Sequence, residues 1–409
     1  MKIFEKFGVK PKIATDLLYT VGSMVVMQCA LQIVIYPYIN RHAGSEVLGN
    51  TVFYMEIVYI LSIAIGQALC NIRLTMMRKY DYKNGDYNYI LRFMLPAGVI
   101  IAMIVMSFYT NNITDIIMFG VLAFFSILRY YSVVEYRIYL DFKKYFMLFA
   151  IVTAGYFLGI LVYILTDLWY MIFITGEALA VLVVFFTSKL FRGTEKSGDI
   201  KPLVTNLMLL VLSYILSESL NSLDKIILKN FVDAHAVAIY YVVSMIGKTL
   251  LFLTLPLNNL LLSYLARDKS TFTWDTFKKM LLIILVIDAV FYVFCLIGTP
   301  IYIKLLYPNL FAEIKGLNVV VNAAQILSFT SALVLVLILG ILGSKYHLIL
   351  QILYAVVFLP LSAILTLNYG LWGYAYAALF SGLIRFGQIL LFTYKKLPKE
   401  KSKESVQES

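Results

Sequence analysis

The chain has 409 residues, 61% hydrophobic, 15% aromatic and only 14% charged, with a formal net charge of +11 and a mean hydropathy of +0.86. Soluble globular domains carry about 25% charged and about 45–50% apolar residues, so a water-soluble core is excluded. The 22 Gly, 9 Pro and 3 Cys exclude collagen and disulfide scaffolds as well. The long unbroken apolar runs do not match the short alternating strands of a membrane barrel, which leaves an all-α polytopic membrane protein.

Hydropathy breaks the chain into twelve segments, near residues 15–39, 47–71, 91–110, 113–134, 144–166, 168–188, 203–224, 237–264, 279–299, 316–342, 346–367 and 371–394. A helix needs about 20 residues to cross the hydrocarbon, so twelve use roughly 240 and leave loops of roughly 13, too short for a further domain. Inside a bilayer the backbone must bond within its own segment, so each segment reads as a helix. Asn111-Asn112 and Thr166-Asp167 mark tight turns. The first segment is too long for a cleaved signal and lacks a small-residue cleavage site.

With the N-terminus placed in the cytoplasm, 27 of the 34 Lys and Arg fall in inner segments, among them Lys12, Arg73, Arg129, Arg137 and the Lys189–Lys201 loop. Arg41, Lys225, Lys229, Lys304 and Lys315 fall outside, and Lys248 and Arg385 fall within spans. This asymmetry sets both termini in the cytoplasm. It also accounts for the basic balance, with bases at span ends facing anionic membrane lipid rather than nucleic acid.

The Lys189–Lys201 loop is the longest charged, Gly-containing break in mid-chain. It divides the chain into a six-helix bundle over 1–190, a cytoplasmic linker over 191–202, a second six-helix bundle over 203–394 and a disordered cytoplasmic tail over 395–409. Both bundles open alike, with Lys10-Pro11-Lys12 before the first span and Lys201-Pro202 before the seventh. Parallel repeats of this kind are found in transporters whose substrate sites lie between the halves, in a central cavity.

The stretch Arg41-His42-Ala43-Gly44-Ser45-Glu46-Val47-Leu48-Gly49, and later Asn221-Ser222-Leu223-Asp224-Lys225 followed by Val237-Ala238-Ile239-Tyr240, resemble polysaccharide-type flippases. These belong to the multidrug/oligosaccharidyl-lipid/polysaccharide exporter superfamily. Ala238 stands where that family usually has Gly, and no aromatic residue directly follows Gly49. The resemblance implies a secondary transporter that flips a lipid-linked oligosaccharide or polysaccharide precursor, of undecaprenyl-diphosphate type, across a bacterial cytoplasmic membrane. Polymerase and assembly proteins of the same pathway are its implied partners. A cation-coupled drug exporter of the same superfamily is the alternative. From another class, a membrane polymerase or glycosyltransferase is a further alternative, disfavoured by the short outer loops.

An ionisable side chain in a span costs about 2.5–3.5 kcal/mol and usually faces a cavity or a partner. Glu56, Glu177, Glu218, Lys248, Asp288 and Arg385 are such residues. Helical spacing aligns Glu56 with Gln67 and Asn71; Ser213, Ser217 and Asn221 with Asp224; and Tyr241 and Ser244 with Lys248 and Asn259. It likewise aligns Asn318 with Asn322 and Gln325, and Tyr374 and Ser381 with Arg385 and Gln388. These polar faces are expected to line a lumen. Lys248 and Arg385 suit phosphate oxygens, with Ser244, Asn322, Gln325, Gln388, Ser217 and Asn221 around the substrate. Alternatively the two bases pair with Glu56, Glu218 or Asp288. Those three acids are also the candidates for a coupling ion. Asp288 and Glu177 lack polar stripes around them.

Tyr36, Tyr38, Tyr80, Tyr82, Tyr130, Tyr131, Tyr302 and Tyr307 sit near span ends and read as an interfacial belt. Pro37, Pro256, Pro300 and Pro360 are candidate kinks. No nucleotide-binding loop with Lys and Ser/Thr occurs, the three His are isolated, and Cys29, Cys70 and Cys295 read as packing residues, so no cofactor or metal is expected. The base asymmetry predicts that cysteines introduced in the Lys189–Lys201 loop are labelled only from the cytoplasm, and those beside Asp233 only from outside. Reversed labelling at either place would exclude this topology.

Overall fold

The computed structural model describes residues 11–76, 80, 82–249, 274–342 and 344–397. Their secondary structure is helical: α1 (residues 11–43), α2 (Ser45–Met76), α3 (Asn84–Ser107), α4 (Ile113–Ile138), α5 (Phe142–Thr166), α6 (Tyr170–Thr187), α7 (Lys201–Asn221), α8 (Leu223–Phe231), α9 (Ala234–Thr249), α10 (Trp274–Leu306) and α11 (Leu317–Leu342). The run Ser344–Lys396 is parted at Gly370 (φ 57°, ψ −137°) into α12 (344–369) and α13 (371–396).

Among the described residues, 10 helical stretches are long and apolar enough to cross a membrane. The twelve segments expected from hydropathy reduce to this number for two reasons. The last two count as one run, and α9 has 16 described residues. The remainder of the eighth segment, with Pro256 and Asn259, lies outside the described residues, as does the tail beyond residue 397. The seventh segment stops earlier than expected, at Asn221, because Ser222 turns the chain and α8 starts afresh.

Local chemistry explains the boundaries. Asn112 caps α4 by accepting from the Thr114 amide at 3.0 Å, and Asp141 caps α5 by accepting from Lys144 at 3.1 Å. Asp86 closes the start of α3 by accepting from the Lys83 amide at 2.8 Å. Such caps satisfy amides that have no partner within the helix. α1 widens into a π-helical turn at Ala30–Ile35, directly before Pro37. A proline lacks the N–H and crowds the carbonyl four residues back, and a π turn absorbs the misfit. The helices run on through Pro300 and Pro360.

Packing groups the described chain into two units. Unit 1 holds residues 11–44 and Thr51–Leu223; unit 2 holds Ser45–Asn50 and the described residues from Asp224 onward. The seventh helix, read from hydropathy as the first of the second half, therefore packs in unit 1. Asn71 Nδ2 of α2 donates to the Tyr214 hydroxyl of α7 at 2.7 Å, and Ser222 Oγ donates to Glu56 Oε1 at 2.6 Å. The loop before α7 is tied down as well, since Ser197 donates through its amide and hydroxyl to Asp86.

Within unit 1, α5 and α6 approach through small residues. A Cβ on Gly155 would lie 2.5 Å from the Gly176 Cα, the close backbone contact that drives helix association where lipid gives no hydrophobic gain. Unit 2 packs Phe277 of α10 with Val334 and Leu335 of α11, Leu350 of α12 and Ile389 of α13. Large apolar side chains face outward on α10, with Leu282, Val290 and Phe294 at least 60% exposed. An apolar exterior on helices of this length is a lipid-facing surface, and the chain is a multi-pass membrane protein. Of the tyrosines near span ends, Tyr36, Tyr131 and Tyr307 are buried against protein, while Tyr80 is exposed.

The tightest contact in unit 2 lies at Gly49, where a Cβ would sit 1.7 Å from the Ala234 carbonyl oxygen. Gly49→Ala must push α2 and α9 apart, at a cost of about 1–3 kcal/mol. Thermal unfolding in detergent should show a lowered Tm, whereas Gly198→Ala, with nothing within 4 Å, should leave it unchanged.

Candidate functional site

Charged groups inside the bundles must find partners there, and the two units solve this differently. In unit 1, Arg129 of α4 binds Glu177 of α6 through two parallel bonds, Nε to Oε2 at 2.6 Å and Nη2 to Oε1 at 3.1 Å. Tyr156 of α5 donates its hydroxyl to Oε1 at 2.8 Å. The pair is 2% and 0% exposed, and the guanidinium lies 4.0 Å from the Tyr130 ring centroid. Arg129 was expected at a span end facing the cytoplasm. It lies in the core because α4 continues to Ile138, so Arg129 falls two turns before the helix end.

A second polar network joins α2, α3, α4 and α7. Arg73 Nη1 donates to Asn84 Oδ1 at 2.8 Å and to the Tyr131 hydroxyl at 2.7 Å. Arg137 Nη1 donates to Asn71 Oδ1 at 2.9 Å, which also accepts from Gln67 at 3.1 Å. Asn71 and Ser213 line an open cavity of about 400 Å³ between α2 and α7, with Asn206 and Tyr214. Polar stripes of the second and seventh segments thus meet at one cavity. Of the other expected residues in this unit, Ser217 and Asn221 are exposed on α7 and lie within hydrogen-bond reach of Glu218.

In unit 2, the centre is Asp224 of α8, which is buried. Lys248 Nζ of α9 donates to Asp224 Oδ2, and Lys225 Nζ lies 3.5 Å from Oδ1. Two ammoniums share one carboxylate, and Lys248 also lies 5.9 Å from the Tyr240 ring centroid. Asp224, which spacing aligned with the polar face of the seventh segment, is thus a partner of Lys248. Beside it, Lys229 Nζ donates to Asn50 Oδ1 of α2.

The stripes of the eighth and tenth segments face each other. A Cβ on Gly247 would lie 2.8 Å from Gln325 Cβ and 2.9 Å from Asn322 Oδ1, so α9 and α11 touch where Ser244, Lys248, Asn322 and Gln325 project. Arg385 of α13 donates to Gln351 Oε1 at 3.0 Å and lies 4.4 Å from the Tyr354 ring centroid. Between the two cations runs a chain of rings, with Tyr240–Tyr374, Tyr374–Phe358 and Phe358–Tyr354 centroids 5.0, 6.3 and 5.3 Å apart. Asp288 accepts from Thr330 Oγ1. Among the described residues, Asn322 Oδ1, Gln388 Oε1, Arg385 Nε and Asp288 Oδ1 are buried without a hydrogen-bond partner.

Sequence reasoning missed Arg129 and Lys225 as interior groups, along with the contact of His235 with Ser45 and Glu313 at 2.7 Å each. For Glu177 a signal existed: a carboxylate in an apolar helix requires a partner.

No protein-family model matches the chain, and no curated protein matches its sequence. Solved structures do share its fold, among them three described as transporters or a flippase. The chain superposes on an inward-facing MATE multidrug transporter of the MOP superfamily with a TM-score of 0.63 and 12% identity, over 93% of this chain and 96% of that one. A Vibrio cholerae MATE transporter, VcmN, gives 0.56 and 16%, over 93% and 94%. The lipid II flippase MurJ in its inward closed conformation gives 0.69 and 14%, over 93% and 88%. The chain shares the overall fold of these structures.

Removing one partner of a buried ion pair costs about 3–5 kcal/mol, while replacing both with apolar groups is often neutral. Arg129→Met and Glu177→Met should each sharply lower the yield of folded protein on detergent gel filtration, and the double variant should recover most of it.

Proposed function

We propose that the protein is a polysaccharide-type flippase, moving a lipid-linked oligosaccharide of undecaprenyl-diphosphate type across a bacterial cytoplasmic membrane by alternating access. The observation that carries this reading is the pair of ammoniums, Lys225 and Lys248, closed on one buried carboxylate in a chain with the fold of a lipid II flippase. Asp224 occupies the position an anionic ligand would take. A diphosphate carries more charge than one carboxylate and presents more acceptor oxygens, so it competes for both ammoniums through charge-assisted hydrogen bonds. Arg385, with Nε open, offers a planar fork for a second phosphate or a sugar oxygen. Asn322, Gln325, Gln388 and Ser244 complete the polar face, and Ser217 and Asn221 serve the path along α7. Glu56, Glu218 and Asp288 are the coupling candidates.

The MATE likeness favours a second reading, a cation-coupled exporter, in which Asp288 with its open Oδ1 holds the coupling ion. The two readings part on substrate. In vesicles loaded with purified protein, flipping of a fluorescent lipid-diphosphate sugar should fall at least tenfold in Lys248→Gln and in Arg385→Gln, and Lys248→Arg should keep part of the rate. Unchanged flipping in the double variant would overturn the proposal. So would a loss of folded Lys248→Gln protein that Asp224→Asn restores, since that identifies a structural ion pair.

A further inference from the structure

A second cavity in unit 1, of about 340 Å³, lies where α4 ends, α5 begins and α6 ends. Its floor is apolar, formed by Met147 and Ile151 of α5 and Val183 of α6, and its rim carries Glu135, Asp141 and Lys144. That volume lies near the lower end of small-molecule sites, about 300–1,000 Å³. It suits a headgroup-sized ligand rather than a whole lipid.

The rim charges do not cancel. Asp141 and Lys144 answer each other at 3.0 Å, and the Lys144 side chain and amide together hold the Asp141 carboxyl below its ordinary range. Glu135 has only through-space attraction from Arg73 and Lys144. It is half-buried and makes no hydrogen bond or ion pair among the described residues. Lys144 is largely exposed and, having three N–H donors, keeps capacity for a further acceptor. The cavity therefore offers one unanswered acceptor and one spare donor above an apolar floor.

Its position adds the second constraint. The turn between α4 and α5 holds Leu140 at φ 53°, leaving Tyr139 and Leu140 74% and 60% exposed. A tyrosine beside an apolar residue at the end of two spans is the composition of the headgroup level. Below it, Phe186 and Leu182 of α6 are exposed to lipid, so acyl chains have an apolar surface to follow out of the cavity.

We propose that this cavity binds a phospholipid whose headgroup carries a primary ammonium and a phosphate, as in phosphatidylethanolamine. The ammonium donates to Glu135, the phosphate accepts from Lys144, and the first acyl methylenes lie along Met147, Ile151 and Val183. A choline headgroup has no N–H to give Glu135, and a glycerol headgroup has no ammonium to answer it. The site is separate from the Lys248 cluster and does not depend on the transport reading.

The test is native mass spectrometry of the full chain in detergent, after incubation with equimolar phosphatidylethanolamine, phosphatidylcholine and phosphatidylglycerol. Wild type should retain phosphatidylethanolamine at least fivefold over each of the others. Glu135→Gln should bring that ratio near one without lowering the Tm, and Ile151→Trp, which fills the floor while leaving the rim intact, should reduce retention of all three. Equal retention by wild type would overturn the proposal, as would a preference surviving both substitutions. Displacement by soluble phosphoethanolamine at equal concentration would overturn the assignment to a lipid.

Discussion

Hydrocarbon offers no hydrogen-bond partner to an amide, a carboxylate or a guanidinium, and the rest of this structure depends on that fact. It forces every described segment into helix and makes each interior charge find its counterpart on a neighbouring helix. Arg129, Glu177 and Tyr156 show the requirement fully met: three helices, α4, α5 and α6, are joined through one carboxylate that is 0% exposed. Two of these helices, α5 and α6, also touch through Gly155 and Gly176, so polar closure and backbone proximity act at one place.

Unit 2 meets the requirement only in part. Asp224 is satisfied by two lysines, but Asn322, Gln388, Arg385 and Asp288 keep unbonded atoms among the described residues. Unit 1 keeps buried unbonded atoms of its own among the described residues, such as Ser62 Oγ, Ser126 Oγ and the Tyr87 hydroxyl, even though Glu177 is fully answered. Unsatisfied interior groups are costly.

The boundary between the units illustrates how packing redraws a division read from a sequence. The charged loop from Lys189 to Lys201 marks the middle of the chain by composition. Yet Asn71 holds Tyr214 and Glu56 holds Ser222, so α7 follows the helices it bonds rather than the helices it precedes. At the other edge, the first turn of α2 joins unit 2 because Gly49 lets it press on Ala234 and Asn50 accepts from Lys229.

The sequence by itself determined the membrane setting, the helices and their turns, because these follow from properties of contiguous residues. An apolar run of sufficient length is a span whatever its neighbours, Asn112 and Asp141 cap the helix that follows them, and Gly370 parts two helices by its own backbone. Spacing also found Lys248, Asn322, Gln325 and Arg385 as residues sharing polar faces. What spacing cannot supply is the partner across a helix contact, since that depends on rotation and depth of two separate segments. Only the tertiary structure decided that Lys248 meets Asp224, that Arg129 lies in the core with Glu177, and that Tyr36, Tyr131 and Tyr307 pack against protein. A shift of one helical turn, about 5.4 Å, moves a side chain from a span end into a bundle. Contacts between helices, not hydropathy along them, set that shift.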